Sequence, residues 1–130
     1  MITYGFTKEL RLSLDEAIDV TTAQLKQEGF GVLTRIDIHD KIKEKLGLDF
    51  KKYIILGACN PPYAHKALLA EENIGLLLPC NVILYEKDDK TVLSVIKPTV
   101  AMNMIENSTL KEIAATIESK LKRAFDSIGD

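Results

Sequence analysis

A long amphipathic helix near the end of the chain constrains the fold more than any other feature. Leu110, Ile113, Ala114, Ile117, Leu121, Ala124 and Ile128 recur at three- and four-residue spacing and form one unbroken apolar stripe. Thr109-Leu110-Lys111-Glu112 reads as the capping box that opens this helix. A helix with a single apolar face must lay it on a surface, and the preceding residues supply strands. Two β-rich runs, 80–87 and 91–97, are joined by Lys87-Asp88-Asp89-Lys90 as a hairpin, which Pro98 ends. A hairpin ahead of a terminal helix points to an α+β fold, with helices on one face of a largely antiparallel sheet. The alternative is an α/β parallel sheet, which an uninterrupted β-α-β alternation would build.

The remaining elements follow from local signals. Residues 2–10 alternate, with Ile2, Tyr4 and Phe6 against Thr3, Gly5 and Thr7, as a half-buried strand does. Ser13-Leu14-Asp15-Glu16 is a capping box, and behind it Leu14, Ala17, Ile18, Thr21 and Leu25 share a helical face that Gly29 stops. Phe30 to Ile36 reads as a second strand. Asp37 is placed to cap a charged, peripheral helix over 38–46, ended by Gly47, on which His39 is expected to be solvated. Tyr53-Ile54-Ile55-Leu56 is apolar on both faces, which predicts a central strand over 52–58. A helix is expected from Pro61 to about Asn73, then a loop at Gly75 and a helical turn near Met102, Met104 and Ile105. No linker, repeat or low-complexity tract interrupts residues 1–130, so a single domain is expected.

Composition excludes several classes. The net charge is −2, which leaves no electrostatic footprint for nucleic acid or an anionic membrane surface. No apolar run approaches the roughly 18 residues of a spanning helix. The opening residues lack the basic and apolar regions of a signal peptide, so a cytoplasmic location is expected, with both cysteines as thiols. No Gly-rich phosphate loop or nucleophile elbow occurs, and no Asp or Glu pair recurs at metal-ligand spacing.

The candidate chemistry sits in Cys59-Asn60-Pro61-Pro62-Tyr63-Ala64-His65 and in Pro79-Cys80-Asn81. Pro61 suits a first helical position and pushes Asn60 into the extended conformation of an N-cap, with the Tyr63 N–H as its natural target. Cys59 precedes that helix start, where dipole and free amides favour a thiolate. His65 lies about one turn in. If the strands holding Cys59 and Cys80 are neighbours, the two sulfurs meet. Three readings stay open: buried packing residues, a redox-responsive thiol pair, or a zinc site formed by Cys59, His65, Cys80 and a fourth ligand. The spacing matches no finger or ribbon pattern.

Cys59-Asn60-Pro61, Ala67-Leu68, the run Ile74-Gly75-Leu76-Leu77-Leu78-Pro79-Cys80-Asn81-Val82 and the closing Pro98 together resemble the domain of unknown function numbered three hundred and two. The resemblance implies a curved antiparallel sheet carrying a long C-terminal helix, like one half of the TATA-box-binding-protein fold, and a homodimer. It implies no reaction. The leading expectation is a binding module whose pocket, lined by Cys59, Asn60, Tyr63, His65, Cys80 and Asn81, holds a small molecule or metal ion. The competing readings are a thiol enzyme or redox sensor, with Cys59 reactive and Cys80 resolving, and a purely structural motif.

Overall fold

The computed structural model describes residues 2–129. Five strands, β1 (Gly5–Leu10), β2 (Gly31–Asp37), β3 (Tyr53–Cys59), β4 (Cys80–Lys87) and β5 (Lys90–Ile96), form one sheet in the order β1-β5-β4-β3-β2. Every neighbouring pair is antiparallel, which overturns the parallel α/β alternative. The physical reason is the placement of β1 and β2. They run in the same direction but occupy opposite edges, so α1 (Leu14–Gln27) crosses the face between them instead of joining adjacent parallel strands. Antiparallel pairing at the other steps needs only a tight turn or a short helix.

The helices cover one face. α1 and α5 (Ser108–Ser127) pack against each other, and α3 (Pro61–Ala70) packs on α5. Their apolar stripes bury Ala17, Leu25, Leu110, Ile117 and Leu121 against Ile54, Leu56, Val82, Leu84, Leu93 and Val95 of the three central strands. The predicted stripe of α5 is the buried one, and the capping box of α1 forms as read, with Glu16 N–H donating to Ser13 Oγ and Ser13 N–H to the Glu16 carboxylate. Asp88 and Asp89 both take positive φ, 49° and 65°, which is the two-residue turn that matches strand twist in the β4–β5 hairpin.

Several boundaries differ from expectation, each for a local reason. β1 begins at Gly5, where pairing with Ile96 begins, and not at Ile2. α3 stops at Ala70, because the Glu71 side chain accepts from Asn73 N–H and starts a separate 3-10 helix, Glu72–Leu77, through the expected Gly75 loop. Pro98 opens a short α4 (Pro98–Ala101) ahead of the predicted turn. α5 is capped by Asn107, not through a Thr109 box. The Asn107 carboxamide accepts from Leu110 N–H at 2.9 Å and donates to Ala70 O at 2.8 Å, tying the start of α5 to the end of α3. The peripheral α2 (Ile38–Leu46) ends at Gly47 in the left-handed region, as expected. At the far end of α5, Lys8 of edge strand β1 turns inward and donates to Phe125 O and Ile128 O, satisfying carbonyls the helix leaves open. No helix among the described residues is long and apolar enough to cross a membrane.

Candidate functional site

The two Cys-Asn pairs meet at one end of the sheet, but they are not equivalent. β3 ends at Cys59, opposite Gly31, while Cys80 opens β4 opposite Ala58. Asn60 is the N-cap of α3 by backbone geometry, and Pro61 and Pro62 occupy the first two helical positions. Its side chain nevertheless makes no cap bond. The carboxamide is 7% exposed, and Nδ2 donates to Glu28 O at 3.2 Å. Glu28 closes α1, where carbonyls lack intrahelical donors, so Asn60 corrects a deficit 32 residues upstream. Gly29, at φ +87°, makes room for this: a Cβ there would lie 3.1 Å from Asn60 Nδ2. The expected bond to Tyr63 N–H is thus replaced by a clamp between α1 and α3.

Cys80 and Asn81 separate by strand alternation. Cys80, Val82 and Leu84 face the helices and are buried, whereas Asn81 is exposed on the opposite face. Ahead of them the Pro79 ring, which follows a cis peptide bond, lies over Gly57, where an added Cβ would come within 2.6 Å of Pro79 Cγ. Tyr63 also leaves the group. It points toward α5, and its ring lies between the Lys66 and Lys120 ammoniums at 5.2 and 5.7 Å from its centroid. His65 is exposed on α3.

What remains is an apolar hollow of about 290 Å³, walled by both cysteines together with Phe30, Leu33, Leu68, Leu78 and Ile117. The structure brings Cys59, Asn60 and Cys80 onto this hollow; Tyr63, His65 and Asn81 lie outside its lining. Burial pushes the Cys80 thiol up to about 11, with the neighbouring Cys59 adding to the effect. At neutral pH Cys80 is therefore a protonated, hydrophobe-like side chain. Cys59 is half-buried at the mouth.

A second constellation escaped the sequence reading. Asp37, His39 and Asp40 place three candidate ligand atoms within 4.8 Å of one another, the single such set among the described residues. Its signal was the Asp-x-His-Asp spacing at a strand-to-helix junction. The existing bonds oppose a cation there. Arg35 donates to both Asp37 carboxylate oxygens at 2.8 and 3.3 Å, and this hydrogen bond holds the Asp37 carboxyl below its ordinary value. His39 Nδ1 accepts from Tyr53 N–H at 3.0 Å, which leaves the proton of the neutral ring on Nε2, 3.7 Å from Asp40 Oδ1. His39 is therefore not the solvated side chain expected; it pins α2 to the start of β3.

Residues 6–128 match the family described as Domain of unknown function DUF302. A solved structure, the crystal structure of uncharacterized conserved protein DUF302 from Bacillus stearothermophilus, is similar at 36% sequence identity and a TM-score of 0.89. The alignment covers 96% of this chain and 98% of that one. No curated protein matches.

Proposed function

The chain belongs to the DUF302 family, a domain of unknown function, and from that premise we propose that it is a binding module for a small, largely apolar molecule held in the hollow beside Cys59 and Cys80. One observation carries this reading. Apart from the two thiols, Asn60 is the one polar side chain on the wall among the described residues, and its Nδ2 donates one bond to Glu28 O. A charged ligand would find no counter-charge on that wall and would be desolvated at a cost of several kcal/mol. An apolar one would gain about 25 cal/mol for each Å² it hides from water. The exposed Leu33 and Leu68 at the mouth extend the apolar surface to the entrance.

The raised ionisation of Cys80 counts against a resolving role in thiol exchange, since the thiolate is the reactive form. Cys59, better exposed, keeps the second reading of a reactive thiol alive. A zinc site with His65 requires that exposed histidine to swing onto the hollow.

The test is fluorescence titration with N-phenylnaphthylamine, an uncharged apolar probe. Saturable binding with one site per chain is expected, and it should be abolished by Ala64→Phe, which fills the hollow from α3. Gly75→Leu is an independent blocker, at a wall position where an added Cβ meets no atom within 4 Å. Undiminished binding in both folded variants would sink the reading.

A further inference from the structure

The face of the sheet away from the helices is not uniformly open. Val92 and Ser94 of β5 are buried there, and Ser94 shares a hydroxyl hydrogen bond with Thr7 at 2.7 Å. Ile2 folds back over the same edge: its Cδ1 and Ser94 Oγ would each lie 3.1 Å from a Cβ added to Gly5. Between this edge and Lys51 and Tyr53 lies a trough of about 400 Å³, within the roughly 300–1,000 Å³ of small-molecule sites. The strand register orders its floor. Asn81, Ile83 and Tyr85 follow one another on β4, two residues apart, so about 13 Å separates the first from the last. Tyr53 lies opposite Tyr85, the two rings stacked with centroids 5.2 Å apart. At that end the Lys51 ammonium sits 4.6 Å over the Tyr85 ring, and it is the one charged group in the lining. It meets no carboxylate among the described residues. Glu9, an acid on the same face, lies outside the lining and pairs with Lys90 at 3.6 Å.

We infer that this trough is a second ligand site, for a planar aromatic carboxylate that carries a hydrogen-bonding group at its far end. Each part of such a molecule has a counterpart. Lys51 supplies a single positive charge, which suits a monoanion; a phosphate dianion calls for further cations or a cluster of free backbone amides. The phenols of Tyr4, Tyr53 and Tyr85 have no protein hydrogen-bond partner among the described residues, which leaves them to solvent or a ligand. Burial pushes the Tyr53 phenol above its ordinary value, with the Tyr85 and Tyr4 phenols adding to the effect. At neutral pH it therefore donates a hydrogen bond and does not repel an anion. Between the two polar ends, Ile83 and Ile96 with the tyrosine rings form an apolar bed for a flat ring. At the far end the Asn81 carboxamide, which the hollow leaves unused, is equally free to bond a ligand hydroxyl. The trough and the hollow beside Cys59 share no lining residue, so neither site rests on the other.

Fluorescence titration with 6-hydroxy-2-naphthoate tests this, with 2-naphthol as the probe that lacks the carboxylate and circular dichroism to verify folding. Both probes are titrated into the wild type and into the Ala64→Phe or Gly75→Leu chain, whose hollow is filled. The acid should bind at one site per chain, with the same affinity whether or not the hollow is filled. In the filled chain, Lys51→Met should weaken the acid about 5- to 10-fold, to the level of 2-naphthol, and leave 2-naphthol itself unchanged. Lys51→Arg should retain the acid. Ile83→Trp, which fills the apolar bed, should abolish binding of both probes; should it fail to fold, the exposed Lys51 position still decides. No saturable binding of the acid, an affinity insensitive to Lys51→Met, binding that survives Ile83→Trp, or its loss on filling the hollow would each overturn the inference. That last result would leave the hollow as a binding site, whereas failure of N-phenylnaphthylamine to bind there would leave the trough untouched.

Discussion

The direction of the Asn60 hydrogen bond yields a prediction whose sign separates two roles for the Cys-Asn-Pro motif. If Asn60 were an ordinary N-cap accepting from a first-turn amide, aspartate would replace it without loss and would gain from the helix dipole. In the structure the amide donates to Glu28 O, and the side chain is almost fully buried. Asn60→Ala therefore removes one net hydrogen bond and leaves a small void, a loss of about 1–1.5 kcal/mol. Asn60→Asp does worse, because it sets a carboxylate against a carbonyl with no donor between them, and about 2–3 kcal/mol is expected. For 130 residues, an unfolding entropy near 2.1 cal/mol/K per residue converts these losses into Tm shifts of about 4–6 °C and 7–11 °C. Thermal melts at pH 7 measure both. The aspartate variant should recover part of its loss in acid, where the protonated carboxyl donates again. An Asn60→Asp protein as stable as wild type at pH 7 would refute the clamp and restore the capping role.

Alkaline stability reports the burial of Cys80. Its thiol ionises near 9.0 in the unfolded chain and at about 11 when folded, so this contribution is intact below pH 9 and lost as pH rises toward 11, on the order of 2 kcal/mol. Urea midpoints should fall over that range, and fall less steeply in Cys80→Ala; parallel curves would contradict the burial. Thr21 Oγ1 is buried without a hydrogen-bond partner, so Thr21→Val should stabilise by about 1 kcal/mol in chemical denaturation, and a loss would show that the hydroxyl is satisfied. Gly57→Ala should destabilise by about 1–3 kcal/mol, because its Cβ would collide with Thr34 Oγ1 and meet Pro79 Cγ at 2.6 Å. Thr34 can rotate away while the proline ring cannot, so adding Thr34→Ala should rescue little; full rescue would shift the blame to Thr34.

What the amino-acid order made legible was what a residue does within about four positions of itself. The Ser13 box, the α5 stripe, the Gly47 stop and the hairpin turn are local, and they stand where the periodicity placed them. The apolar run Tyr53–Leu56 announced a strand needing cover on both sides, and only one side is covered by helices. The polar side chains that organise the candidate site answer to partners far along the chain. Asn60 serves a carbonyl 32 residues earlier, Asn107 one 37 residues earlier, and His39 an amide 14 residues later. For Asn60 local chemistry nominated the Tyr63 N–H and for His39 it nominated solvent, whereas the tertiary fold supplied a backbone partner far along the chain; Asn107 makes its local cap bond and the distant one together. The separation of Cys80 from Asn81 is different in kind, since strand alternation alone dictates it once Cys80 begins a strand. A doubled dipeptide is a repeat in sequence, but one copy runs from a strand into a helix and the other lies within a strand. Only the cysteines therefore converge, because antiparallel pairing of β3 with β4 brings their backbones together while the two asparagines diverge, one to the α1 turn and one to the open face.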